Sequence, residues 1–203
     1  MKDILLSVRP KWCEKICHEI GKDENGKPIY EKVIEVRKSK PSEVPFRAFI
    51  YCTKGKSTNV LLKDKNNRFV FGDYRNACTC DADGNVEFEN VQGKVIGEFI
   101  CDNVDEIILN YNFEKDGHKL IDGICLTENE LERYAQGRKT IYGWHISDLK
   151  IYDKPRELSE FRKPCLYGDM PCVVCEDYSV YSGECQNIVT RPPQSWCYVE
   201  EEK

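Results

Sequence analysis

The feature that most constrains this chain is a series of short β-branched and aromatic runs closed off by turn residues, with only two stretches spaced like helices. Ile4 to Val8, Phe46 to Lys54, Lys94 to Cys101, Ile107 to Tyr111, Ile141 to Tyr152 and Ser195 to Val199 all have the composition of strands. In the first helical stretch Trp12, Cys13, Ile16, Cys17 and Ile20 form one apolar stripe, with Pro10 in its opening turn and Gly21 as its stop. The second opens near Leu126, where Thr127 and Glu130 have the spacing of a capping box, and Gly137 closes it. Strands this short with two short helices predict an α+β domain on a small curled sheet or barrel.

The chain of 203 residues is read as one domain carrying two additions. Residues 55–92 are polar, with strand-like pieces at Val60-Leu61-Leu62, Arg68 to Phe71 and Val86 to Phe88, and turn signals at Asn66-Asn67 and Asp83-Gly84. They read as a hairpin-bearing insertion. Residues 158–199 are rich in Cys and Pro and read as an extension that ends in a strand. No apolar run approaches a membrane span, and Met1 to Val8 is too short for a signal-peptide core. A cytoplasmic location follows as the expectation, with the twelve cysteines as reduced thiols or metal ligands.

Net charge is −5, which argues against strong binding to long duplex nucleic acid. The charge is uneven. Residues 1–60 carry 13 Lys/Arg against 8 Asp/Glu, so the acidic excess lies in the remainder. A local basic cleft on an acidic protein suits a small anionic ligand or a nucleotide. Within the basic part lies Glu31 to Pro41, the stretch richest in candidate ligand groups. Read as a strand, it turns Ile34 and Val36 into a core and Val33, Glu35 and Arg37 to the other face. Glu35 and Arg37 are then neighbours, able to form a solvated ion pair or to present an acceptor and a fork of donors to a ligand. Strict alternation puts Lys32 on the wrong face to join them, unless the strand begins after it or bulges there.

Cysteines suggest a second kind of site. Cys172-Val173-Val174-Cys175 is a C-x-x-C pair, with Cys165 upstream and Cys185 and Cys197 downstream, in a tail with little apolar material of its own. Cys165, Cys172, Cys175 and Cys185 can enclose a structural zinc ion, with Cys197 as the alternative fourth ligand. Unligated thiols and a redox pair are the other readings, the last lacking a βαβ context. Cys78-Thr79-Cys80 is too tight for the usual zinc spacing, and Cys13 and Cys17 lie on the apolar stripe of the first helix, where packing accounts for them.

Several segments together resemble one family. Ile4-Leu5-Leu6-Ser7-Val8-Arg9-Pro10, Glu31 to Pro41, Phe49 to Lys54, Gly93 to Phe99, Tyr142 to Leu149 and the closing Pro192-Pro193-Gln194-Ser195-Trp196 are similar to ASCH-domain proteins of the PUA-like superfamily, in particular to small ones found in bacterial prophages. The resemblance implies a small β-barrel with helices against it, a cleft beside the first helix, and a Gly-x-Lys-x-x-Glu-x-Arg-like signature to which Lys32, Glu35 and Arg37 correspond. It implies an RNA or modified-nucleotide ligand. One branch deacylates N4-acetylcytidine; its lysine corresponds to Lys32, but its catalytic threonine falls at Glu35, and its acidic partner would be Glu128 or Glu130.

Three functions are therefore in play. In the first, the chain is a binding module for RNA or a nucleotide, with Lys32, Arg37 and Lys38 contacting phosphate or base edge, Glu35 accepting from an amino group or holding Arg37 in place, and Trp12, Tyr51, Tyr142 or Trp144 stacking. In the second it is an amidohydrolase-like enzyme using Lys32 with Glu35 or Glu130. In the third it is a zinc-stabilised protein-interaction module. His145, between Trp144 and Ile146, reads as a structural histidine.

Overall fold

Ile4, Leu5 and Leu6 have no exposed surface, so the strand that holds them must be covered on both faces. That strand, β1 (Lys2–Val8), lies inside a six-stranded sheet of order β12-β9-β5-β1-β14-β13, formed with β5 (Phe46–Cys52), β9 (Val95–Cys101), β12 (Ser147–Arg156), β13 (Phe161–Arg162) and β14 (Trp196–Glu201). The coordinates are a computed structural model, which describes residues 2–55, 58–73, 88–109, 122–164 and 187–201. β1 and β5 run parallel; the other pairings in this sheet are antiparallel. A parallel pair needs a long crossover, and it is in this crossover that α1 (Pro10–Cys17), β2 (Glu19–Lys22), β3 (Pro28–Tyr30) and β4 (Ile34–Arg37) occur.

Three clusters make the core. On one face of the large sheet, Ile4, Leu6, Val8, Phe46, Ala48, Ile50 and Phe99 pack with Cys13, Ile16 and Cys17 of α1 and with Trp144. On the other face Leu5, Phe49, Tyr51, Val95, Phe161 and Val199 pack together. The alternation along β1 and β5 thus feeds two cores. A second sheet of order β10-β11-β4 is completed by β10 (Val104–Ile108) and β11 (Thr140–His145). Its outer face meets α2 (Glu128–Ala135) through Val36, Ile124, Leu131, Ala135 and Ile141. Trp144, edge-to-face with Phe46 at 5.0 Å, joins the two sheets. β6 (Val60–Asp64), β7 (Phe69–Gly72) and β8 (Phe88–Asn90) form a further small sheet, with β6 and β7 paired antiparallel around the Asn66-Asn67 turn.

Among the described residues strands predominate, with two α-helices, and the fold is α+β as expected. Among the described residues the strands do not close into a barrel: the six-stranded sheet ends on β12 and β13. The first helix is also shorter than the apolar stripe suggested. It ends at Cys17, and His18 is already extended. Residues 19–22 instead pair with β3 across the turn at Gly26, which has a φ of +79°. Hairpin closure around Asn25-Gly26 takes these residues, and Ile20 is left exposed instead of packed. The strand expected over 141–152 is divided at Ile146 between two sheets, and its second part runs through Pro155, which an edge strand tolerates. Helix α2 starts as read, with Thr127 accepting from the Glu130 N–H and the Glu130 carboxylate accepting from the Thr127 N–H. Cys13 and Cys17 are core thiols, and burial pushes both well above the ordinary thiol range.

Candidate functional site

β4 is an edge strand of the second sheet, paired with β11 on one side only. Its register sets Glu35 opposite Trp144 and Arg37 opposite Tyr142. The three preceding residues are not strand. Glu31 donates its N–H to the His18 carbonyl, Lys32 to the Lys15 carbonyl, and Val33 and Ile34 both donate to the Gly123 carbonyl. Gly123 has a φ of +72°, and a Cβ there would lie 2.8 Å from the Val33 side chain, so the residue must be glycine for the chain to be pinned so closely. Because the strand starts only at Ile34, alternation does not govern Lys32, and its side chain turns to Glu35.

The result is a buried charge cluster. The Lys32, Glu35 and Arg37 side chains are 2%, 8% and 8% exposed. Arg37 Nη2 lies 2.8 Å from Glu35 Oε1, and Lys32 Nζ lies 3.4 Å from Glu35 Oε2. Lys32 Nζ also donates to the Ile34 carbonyl at 2.7 Å and the Ile124 carbonyl at 2.6 Å. Lys32 Nζ is thus held by two backbone carbonyls with the Glu35 carboxylate close by. Arg37 Nη2 also donates to the Ser7 carbonyl at 3.0 Å, while its Nε is buried without a partner. Of the two readings of Glu35 and Arg37, the solvated ion pair is corrected here: both residues are buried, and Arg37 is bonded to the Ser7 carbonyl of β1.

Around this cluster stand half-buried aromatics. Lys32 Nζ is 5.5 Å from the centre of the Trp12 ring, and Lys11 Nζ is 4.8 Å from the same ring. From α2, Tyr134 is acted on electrostatically by Arg37, Glu35 and Arg9; burial pushes its hydroxyl above the usual phenol range, and the two arginines pull it partly back. Lys38 lies 5.2 Å from the Tyr134 ring and donates to Gln136 Oε1 at 2.5 Å. Lys32, Glu35, Arg37, Lys38 and Trp12 are thus brought together at the meeting of α1, β4 and α2.

Other candidates lie elsewhere. Tyr51 is buried on the far face of the large sheet, against Leu5, Phe49 and Phe161, and presents no stacking surface. Trp144 is fully buried; its indole N–H has no partner. Tyr142 is half-buried beneath Lys40. His145 Nε2 is paired with Asp105 Oδ2 at 2.6 Å on β10. Glu130 is committed to the cap of α2, where hydrogen bonds from the Thr127 N–H and hydroxyl hold its carboxyl below the usual range despite burial. Glu128 stands in the first turn of the same helix. Cys165, Cys172, Cys175 and Cys185 lie outside the described residues; Cys197 is half-buried in β14. Among the described residues no group of three or more His, Cys, Asp or Glu side chains is placed to hold a metal, and no helix is long and apolar enough to cross a membrane.

Sequence reasoning missed two residues. Tyr134 lies one turn after Glu130 on the same helix face, a signal that was available. Arg9 was noted only as part of a motif, and nothing local tied it to Arg37.

No family model matches the chain, and no curated protein does. Among solved structures it is similar to ASCH from Zymomonas mobilis, at 14% identity over 98% of this chain and 88% of that chain, with a TM-score of 0.49. It is similar also to two point variants of the Zymomonas mobilis protein. The tyrosine-to-phenylalanine variant is 13% identical, covering 98% and 91% of the two chains with a TM-score of 0.49. The serine-to-alanine variant is 14% identical, covering 98% and 89% with a TM-score of 0.48. These three solved structures are of an ASCH protein.

Proposed function

We propose that the chain is an ASCH-type module that binds RNA or a nucleotide in the cleft between α1, β4 and α2. One observation carries this reading: Lys32, Glu35 and Arg37 are buried together, with a buried guanidinium N–H left free, beside Trp12 and Tyr134. Burying three charges costs several kcal/mol per ion before pairing offsets it, and an apolar cluster would hold a fold at less cost. Each Glu35 oxygen keeps a lone pair for a ligand amino group, Arg37 keeps a donor, and the aromatics offer a face to a base.

The hydrolase reading has less support. Lys32 Nζ is already bonded to the Ile34 and Ile124 carbonyls and lies beside Glu35, and Glu130 already serves its helix cap. Zinc at Cys165, Cys172, Cys175 and Cys185 is a separate proposal resting on their spacing alone. Metal analysis of purified protein tests it; a metal-free protein that stays folded would end it.

Calorimetric titration with ribonucleosides, their monophosphates and short RNAs tests the binding reading. Trp12→Leu and Tyr134→Phe alter only half-buried walls of the cleft, so both variants fold. Loss of about tenfold in affinity in either supports the assignment. Binding unchanged in both variants, or no binding to any of these ligands by the unaltered protein, overturns it.

A further inference from the structure

A segment that belongs to no strand or helix crosses four aromatic rings. After β4 ends at Arg37, the chain runs through Lys38, Ser39, Lys40, Pro41 and Ser42. Lys38 Nζ lies 5.2 Å from the centre of the Tyr134 ring, and Lys40 Nζ lies 5.1 Å from that of Tyr142. Between the two lysines, Ser39 Oγ accepts from the Trp196 indole N–H at 3.1 Å. Ser42 meets Tyr198, its backbone N at 3.4 Å and its Oγ at 3.3 Å from the hydroxyl.

The rings come from α2, β11 and β14, and strand alternation lines up those of the two strands. Tyr142 stands two residues before Trp144, and Trp196 two before Tyr198, so each pair shares one face of its strand. Trp144 lies 5.8 Å from Trp196, and Trp196 lies 5.5 Å from Tyr198, both edge to face. The fully buried Trp144 thus joins the pairs into one seam between the two sheets. Tyr142, Trp196 and Tyr198 are its half-buried outer rings.

Half-buried rings interleaved with ammonium groups suit a single-stranded nucleic acid, whose bases stack on the rings while its phosphates take the cations. The contacts already present are weak enough to exchange. Lys40 is paired with Glu106 at 2.8 Å, but the two side chains are 44% and 54% exposed, and an ion pair so exposed contributes little. A base stacked on a ring outweighs the solvated cation–π contact it displaces, and the freed ammonium turns to phosphate. A duplex has no free base faces to offer. From Lys38 to Ser42 the chain spans at most about 14 Å, more than one base covers, and it starts at Tyr134 on the cleft.

We propose that Tyr142, Trp196 and Tyr198, with Lys40, form a track for single-stranded RNA that leads out of the cleft past Tyr134. This rests on the nucleotide reading above and deepens it: the ligand is a run of several nucleotides, one seated in the cleft and the next on the track.

The test is calorimetric titration with the 5′-monophosphates of adenosine, cytidine and uridine, their homo-hexanucleotides and a short RNA duplex. It is run at several salt concentrations on the unaltered protein, on Tyr142→Leu and on Lys40→Gln. At least one hexanucleotide is expected to bind about tenfold or more tighter than its monophosphate, and the duplex no tighter than the monophosphate. Tyr142→Leu lowers the hexanucleotide affinity about fivefold or more. Lys40→Gln makes the slope of log K against log salt shallower by about 0.7, the value of one phosphate contact on a single strand. Monophosphate affinity is unchanged in both variants. Equal affinity for monophosphate and hexanucleotide overturns the track and leaves the nucleotide reading standing. So does a hexanucleotide preference that is untouched in Tyr142→Leu, an unaltered slope in Lys40→Gln, or a duplex bound as tightly as the single strand. If Tyr142→Leu does not fold, the slope in Lys40→Gln decides, because Lys40 is exposed. Hexanucleotide binding without any monophosphate binding, weakened in both variants, supports the track and ends the cleft reading. No binding of any probe overturns both.

Discussion

Replacing Lys32 by methionine tests what the buried cluster does for the fold. Methionine fills nearly the same volume, so packing changes little, and the loss is electrostatic. Lys32 satisfies the Ile34 and Ile124 carbonyls at 2.7 and 2.6 Å, and leaving a buried acceptor unpaired costs about 1–3 kcal/mol. Its attraction to Glu35 at 3.4 Å is about 5 kcal/mol at an effective dielectric constant near 20. Most of that is offset, because the ammonium no longer has to be stripped of water. Glu35 also keeps Arg37 at 2.8 Å, so it is not left as an isolated charge. The carbonyls therefore decide the size, and Lys32→Met is expected to lose about 3–5 kcal/mol. Urea unfolding followed by tryptophan fluorescence measures it. Glu35→Gln, which keeps both carbonyls satisfied but leaves two cations facing each other, should lose a similar amount by a different route. The double variant should lose clearly less than the sum, since the second cation is already gone. A loss below about 1 kcal/mol in Lys32→Met would show that water replaces the ammonium, and the cluster would not be a dry, mutually dependent unit.

Two further outcomes follow from geometry outside the cluster. Thr127→Ala should cost ~1 kcal/mol through loss of the helix cap, and Glu130→Ala should match it in stability and ligand affinity; an affinity loss in Glu130→Ala alone would return Glu130 to the site. Asp64 is pushed up by burial, but N–H donation from Arg68 and Asn66 and the Arg68 guanidinium outweigh this and hold its carboxyl below the usual range. Its contribution is complete above the unfolded-state pKa of about 4 and is lost as pH falls through the lower folded value. Asp64→Asn should therefore flatten the fall in stability below about pH 4, and urea midpoints that fall with the same slope in both proteins would refute the assignment.

Some of this protein could be read locally. The Thr127 and Glu130 spacing gave the start of α2, because a capping box needs only residues three apart. The Asn25-Gly26 turn was visible for the same reason, but its consequence was not. Whether residues 18–21 continued a helix or entered a hairpin depended on β3, which the apolar stripe of α1 could not register. The open sheets likewise depended on which strands met, and no strand carries that information alone.

The candidate site divides the same way. By itself the sequence determined that Lys32, Glu35 and Arg37 lie in one short segment of mixed charge and that Ile34 and Val36 face a core. Side-chain alternation along a strand is a local rule. Tertiary structure decided the rest. Gly123 and the Lys15 carbonyl hold residues 32–34 out of the strand and swing Lys32 to Glu35. The Ser7 carbonyl anchors Arg37, and α2 brings Tyr134 within electrostatic reach of Glu35 and Arg37. Those partners are distant in sequence and act partly through backbone atoms, which carry no residue identity. A surface ion pair on paper thus becomes a buried cluster in the fold, and burial is what strengthens the attraction among its charges.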